Sequence, residues 1–148
     1  MAVITPTLTL TSNASTATTA PGPLSVALSL SATDTLTVDT VTAATLVVGT
    51  TPAVLFDGSA QDDGGTAGLH GSFVYLKNVS AADHDVYIGA VVDGASASTL
   101  DDADDAVRLF TLKQGEFAFF PYDYTMDLVV DSEHNTSAIL EYFLFNRG

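Results

Sequence analysis

Cysteine is absent from this 148-residue chain, and basic residues nearly so: 4 Lys and Arg stand against 18 Asp and Glu, a formal net charge of -14. The first absence excludes disulfides, thiolate nucleophiles and cysteine-ligated zinc or iron–sulfur centres. The second argues against nucleic acid and anionic membrane surfaces as partners, because phosphate-rich surfaces are held by clustered Lys and Arg. Charge of either sign is scarce: charged residues are 15% of the chain, against roughly 25% in ordinary soluble domains. A folded chain of this mass exposes on the order of 7,000 Å², too much for so few charges to cover. The remainder must be Thr, Ser, Ala and Gly, or must be buried in an assembly. No apolar run approaches the roughly 20 residues of a membrane helix. The first residues, Met1-Ala2-Val3-Ile4-Thr5-Pro6, have neither a basic n-region nor a continuous apolar h-region, so the expectation is a protein made in the cytoplasm.

Aromatic residues are missing from the first third: every Phe and Tyr lies after Pro52. The early part nevertheless alternates, with Leu8-Thr9-Leu10, Leu24 to Leu30 and Leu36-Thr37-Val38-Asp39 placing large apolar residues at every second position. That period fits half-buried strands. Pro21-Gly22-Pro23 interrupts the chain, and the expected organisation is an extended N-terminal arm over 1–23 followed by one domain over 24–148. Further strands are expected at 45–48, 53–56, 72–78, 86–92, 107–112, 116–121, 126–130 and 139–145. Turn residues stand between them at Asp62 to Gly65, Asp93-Gly94, Gln114-Gly115 and Asp131 to Asn135. Lys113-Gln114-Gly115-Glu116 reads as a tight hairpin, and Ser98 to Ala106 as one turn of helix at most. Many short strands on this length predict an all-β fold, an antiparallel β-sandwich of jelly-roll type.

Two runs are apolar on both faces. In Phe117-Ala118-Phe119-Phe120-Pro121, the adjacent Phe119 and Phe120 must point to opposite sides of a strand, and Tyr142-Phe143-Leu144-Phe145 has the same character. Such strands are central in a sandwich or covered by a partner. Together with the shortage of charge, they point to self-association, and Phe119, Phe120, Tyr142, Phe143 and Phe145 are the expected interface residues.

Chemistry has little foothold. Asp101-Asp102-Ala103-Asp104-Asp105 and Asp62-Asp63 are acidic enough to attract Ca²⁺. An EF-hand counted from Asp101, however, would need Gly and Glu where Ala106 and Leu112 stand. The expectation is solvated loops. His70, His84 and His134 show no metal-ligand spacing. There is no nucleophile elbow, and the glycine-rich stretch Gly65 to Gly71 matches neither phosphate-binding fingerprint. No catalytic residue, metal site or cofactor is expected, and the chain does not read as an enzyme. Asn13, Asn78 and Asn135 open glycosylation tripeptides, of a kind frequent by chance in a Ser/Thr-rich chain.

Three segments carry a resemblance. Phe73-Val74-Tyr75-Leu76-Lys77-Asn78-Val79, Leu112 to Pro121 (LKQGEFAFFP) and Leu140-Glu141-Tyr142-Phe143 with a terminal Arg147-Gly148 resemble, in order and spacing, motifs of small virion structural proteins of tailed, cyanophage-type bacteriophages. The resemblance covers about 72–148 and leaves 1–51 without a counterpart. It implies a β-sandwich virion protein, in the first place a capsid decoration (cement) protein. Such a protein would act as a homotrimer bound to the major capsid protein on the head surface. A tail fibre, adaptor or head-to-tail component is the alternative. It also implies packing roles: Leu112, Phe117 and one of Phe119 or Phe120 in the core, with Gly115 as the turn. Outside the resemblance, a carbohydrate-binding β-sandwich is a third reading, with Tyr122, Tyr124 and the Asp101–Asp105 loop as its candidate residues.

Overall fold

In a computed structural model, the chain is described at residues 2–4, 7–11, 25–29, 36–38, 40–58, 71–92, 108–123, 125–134 and 138–146. It divides into two compact units, Met1–Val38 and Asp39–Gly148. In the first unit, β1 (Ala2–Ile4) pairs with β4 (Leu36–Val38), and β2 (Thr7–Thr11) with β3 (Ser25–Ser29), both antiparallel. The expected division after residue 23 falls outside the described residues, and the strand expected to open the domain, Ser25–Ser29, pairs inside the first unit instead. Also outside the described residues are both acidic loops, His70, Tyr124, the 98–106 segment and the tripeptides at Asn13 and Asn135.

The second unit is the expected antiparallel sandwich. Its strands are β5 (Thr40–Val48), β6 (Ala53–Phe56), β7 (Gly71–Asn78), β8 (Val86–Val92), β9 (Arg108–Leu112), β10 (Phe117–Asp123), β11 (Met126–Ser132) and β12 (Ala138–Asn146). They form two four-stranded sheets, β10-β7-β12-β5 and β6-β11-β8-β9. The pairing is nested: β5 with β12, β6 with β11, β7 with β10 and β8 with β9. This unit is therefore one long hairpin, folded so that its successive pairs fall alternately in the two sheets, which is jelly-roll topology.

Alternation builds the core. Val48, Val74, Leu76, Tyr122, Leu140 and Leu144 of the first sheet meet Phe56, Val86, Ile88, Leu112, Leu128 and Val130 of the second. Tyr122 adds a polar tie, its hydroxyl donating to the carbonyl of Met126 at 2.6 Å. A smaller buried cluster, Tyr87, Val91 and Val129, occupies the other face of the second sheet. Alternating with Val129 there are the buried carboxylates Asp127 and Asp131. Asp127 Oδ1 accepts from Gly58 N at 2.8 Å, and Asp131 Oδ1 from Ser132 N at 2.6 Å.

The expected hairpin at 113–116 is corrected. β9 and β10 lie in different sheets, and the turn carries the chain across the sandwich. Glu116 N donates to Lys113 O at 2.9 Å, and Gly115 is at φ 80 while no other residue type has positive φ among the described residues. Positive φ at the second central position alone defines a type II turn, whose twist splays its flanking strands instead of pairing them. Only glycine enters that region without strain. A Cβ at Gly115 would meet nothing within 4 Å, so Gly115→Ala should cost only the backbone term, about 1–2 kcal/mol, read by chemical denaturation. A larger loss would mean the turn packs more tightly than its geometry shows.

Beside this turn sits a polar hub at the sandwich end. Asn78 is fully buried. Its Nδ2 donates to the carbonyls of His84 at 2.6 Å and Leu112 at 2.9 Å, and its Oδ1 accepts from Ser80 N at 3.1 Å and Ser80 Oγ at 2.6 Å. Its backbone N donates to Glu116 O and its backbone O accepts from Gly115 N. Ser80 Oγ in turn accepts from Ile139 N at 2.9 Å. One residue of the first sheet thus clasps the second sheet through its side chain and the crossing turn through its backbone. Its amide is committed to these bonds, so Asn78 is no glycosylation acceptor in the folded chain.

Candidate functional site

The outward face of the sheet β10-β7-β12-β5 is the candidate site. Antiparallel register sets Phe119 opposite Tyr75 and Phe117 opposite Lys77 between β10 and β7. Between β12 and β7 it sets Phe143 opposite Tyr75 and Phe145 opposite Phe73, and Ala43 and Val41 of β5 continue the same rows. Directly opposed residues point to the same side, so Phe73, Tyr75, Phe117, Phe119, Phe143 and Phe145 share one face.

The six rings form a continuous layer. Phe73 stacks on Phe119 at 5.5 Å and Tyr75 on Phe117 at 6.0 Å, while Phe143 stacks on Phe145 at 6.1 Å. Edge-on contacts of Tyr75 with Phe143 at 5.7 Å and of Phe119 with Phe145 at 6.2 Å join these pairs across the strands. Offset and edge-on rings at such spacings are attractive. They shield each other only in part: Phe117 keeps 57% and Phe119 39% of its surface exposed, and Val41 and Val47 at the margin 47% and 59%. Charge is kept to the ends. Lys77 and Glu141 oppose each other on β7 and β12, and Asp123 terminates β10 opposite Gly71. A four-stranded sheet face of this length covers on the order of 500 Å² before side-chain relief, the upper range for an apolar patch on a protein that stays alone.

Of the five expected interface residues, Phe119, Phe143 and Phe145 come together on this face. Phe120 and Tyr142 do not. They point inward, Phe120 edge-on to Phe110 at 5.6 Å and Tyr142 edge-on to Phe56 at 5.3 Å, and pack against the core. The expected core place of Phe117 is likewise corrected: it shares the outward parity of Phe119, while Ala118, Phe120 and Tyr122 take the inward one. Leu112 is core, as expected. Sequence reasoning missed Phe73 and Tyr75 as surface residues. Their alternation with Val74 and Leu76 was visible, but alternation does not say which parity faces out.

Among the described residues, no three His, Asp or Glu side chains gather as a metal site. His84, which reads as an isolated loop residue, stacks on His134 with ring centroids 3.9 Å apart, and the Arg108 guanidinium lies 4.6 Å above the Tyr87 ring, a cation–π contact. Among the described residues no helix is long and apolar enough to cross a membrane.

Comparison with known proteins adds little to this geometry. No family model matches the chain, and no curated protein matches it. It is similar to a solved chain from the disulfide-linked pili of Bacillus endospore appendages, at 11% identity and a TM-score of 0.47, over 74% of this chain and 87% of that one.

Proposed function

We propose that this chain is a virion structural protein, a capsid decoration (cement) protein that stabilises a phage head shell by binding between capsid subunits as a homo-oligomer. The observation that supports this reading is the aromatic sheet face: six rings in one layer, with Lys77 and Glu141 held to the end row beside Phe117, on a molecule of net charge -14. Apolar surface of that extent gains free energy by being covered, about 25 cal/mol per Å². The acids elsewhere keep the covered protein soluble and bias it against nucleic acid. The mechanism is mechanical: the face seats on apolar surface of the major capsid protein, and the contacts add to those between shell subunits. The resemblance of 72–148 to small virion proteins supports the same reading, since Tyr75, Phe117, Phe119 and Phe143 belong to its motifs.

Cryo-electron density of virions with and without the protein tests it. The expected result is density at regular sites on the outer head surface, present only when the protein is. Density confined to the tail, or none on the virion, overturns it.

A further inference from the structure

A sandwich has four open sheet edges, and an open edge presents unpaired N–H and C=O groups to any extended chain that meets it. Three of the four are blunted here. β10 carries Pro121, which lacks a donor, and ends in Asp123. β9 is five residues long, begins with the charged Arg108 and is paired through a register shift at Ile88/Gly89. β6 has four residues and a register shift at Leu128/Val129.

β5 has none of these features. Its nine residues, TVTAATLVV, include no charge, proline or glycine, and it pairs with β12 over its whole length without a shift. Val41, Thr42, Ala43, Ala44 and Thr45 are all exposed, so neither side of that half of the strand is covered by side-chain packing. β-Branched and small residues in a long, regular, uncharged edge are what strand addition needs.

We propose that β5 is the contact between copies of this chain: β5 of one copy pairs antiparallel with β5 of a second, joining two four-stranded sheets into one continuous sheet. The second copy is the occupant for a reason on the surface itself. Every other described edge of its sandwich is blunted, so β5 is the edge it has to offer, and an uncharged strand meets its twin without the repulsion that a net charge of -14 imposes elsewhere.

The geometry of such a pair is constrained. Opposed residues of an antiparallel pair point to the same side, so a two-fold axis relating identical strands must pass at a residue. Full overlap of Thr40–Val48 places it at Ala44. The axis is perpendicular to the sheet, which leaves both aromatic faces on the same side and doubles the docking surface. The inference rests on the reading that this face docks on a shell only for that last consequence. It gives two copies per assembly unit, where the resemblance implies three.

The test uses the full chain, whose lack of cysteine makes single-cysteine variants unambiguous. Thr42, Ala43, Ala44 and Thr45 are each changed to Cys, with Leu109→Cys at the exposed position of β9 as the control, and oxidised at a concentration where native mass is also measured. The Cα separation of a directly opposed pair, ~4.5–5.5 Å, suits a disulfide. The expected result is a mass of twice the chain, strong cross-linking at Ala44→Cys, weak cross-linking at its neighbours and none above background at Leu109→Cys. Ala44→Lys, which sets like charges face to face, should leave a folded monomer. A monomeric or three-fold mass, cross-linking no stronger than the control, or an Ala44→Lys protein that stays dimeric each overturns the proposal. A cross-linked dimer absent from virions would sink the decoration reading and leave this one standing; a monomer bound to the head would do the reverse.

Discussion

Asn78→Ala is expected to remove about 4 kcal/mol of folding free energy and roughly 15 °C of melting temperature. Asn78 Nδ2 serves the carbonyls of His84 and Leu112, and Oδ1 serves the N–H and hydroxyl of Ser80. Truncation leaves those groups facing a small void in a site with no exposure, and each buried orphan costs about 1–3 kcal/mol. Against a total of about 5–15 kcal/mol for a domain, that brings the sandwich near its limit.

Asn78→Asp separates shape from hydrogen bonding. It keeps the volume and the acceptors for Ser80, but sets a carboxylate oxygen against two carbonyl oxygens. Those carbonyls disfavour the charged form, so the introduced carboxyl should titrate above its ordinary range. A group whose folded pKa lies above its unfolded value stabilises at low pH and loses that contribution as pH rises. The deficit of Asn78→Asp relative to the native protein should therefore be smallest in acid and grow towards neutrality. Urea denaturation across that range reads it. A loss below about 1 kcal/mol for Asn78→Ala would mean that water replaces the clasp.

Phe119→Lys combined with Phe143→Lys should abolish docking to the head shell while leaving the fold nearly intact. Both rings sit on the outward aromatic face, Phe119 against Phe73 and Phe145, Phe143 against Tyr75 and Phe145. Neither belongs to the buried core. Buried aromatic anchors at an interface contribute about 2 kcal/mol or more each, and an added ammonium must also be desolvated. The pair should weaken binding to shells stripped of the protein by at least about 1,000-fold. The lost ring contacts should cost the isolated protein only about 1–2 kcal/mol. Wild-type binding by the double variant would mean that another surface docks. Phe120→Ala gives the contrast: it leaves the face untouched but opens the interior, and should lower stability by about 3 kcal/mol.

Strand positions were legible because the alternation that makes a half-buried strand is local. Ala53–Phe56 and Val86–Val92 fall at the expected boundaries, and β7, β9, β10 and β12 within two residues of them. The adjacency of Phe119 and Phe120 also required, from sequence alone, that one of them leave the core. Which one left was not legible. Parity is relative, and only pairing of β10 with β7, and of β7 with β12, turned Phe117, Phe119, Tyr75 and Phe143 to one side.

The crossing turn teaches the same lesson at four residues. Gln114-Gly115 marks a turn in any reading, but glycine in second place alone gives type II geometry, which separates its strands. Loop length alone fits a hairpin there; the hand of the twist does not. Asn78 was hidden for a related reason: nothing in its neighbourhood along the chain announces that its partners lie at Leu112 and, through Ser80, at Ile139.

The sequence by itself determined an all-β chain, cysteine-free, poor in charge and too apolar on two strands to be fully buried in one layer. Those properties are set by composition and by a period of two residues, and need no partner to be read. The tertiary structure decided which strands pair, which parity faces out and which polar group crosses the sandwich. These depend on contacts between segments tens of residues apart, so no local pattern encodes them singly. The shortage of charge gained its meaning there: among the described residues, one face of rings and one edge, β5, stand uncovered.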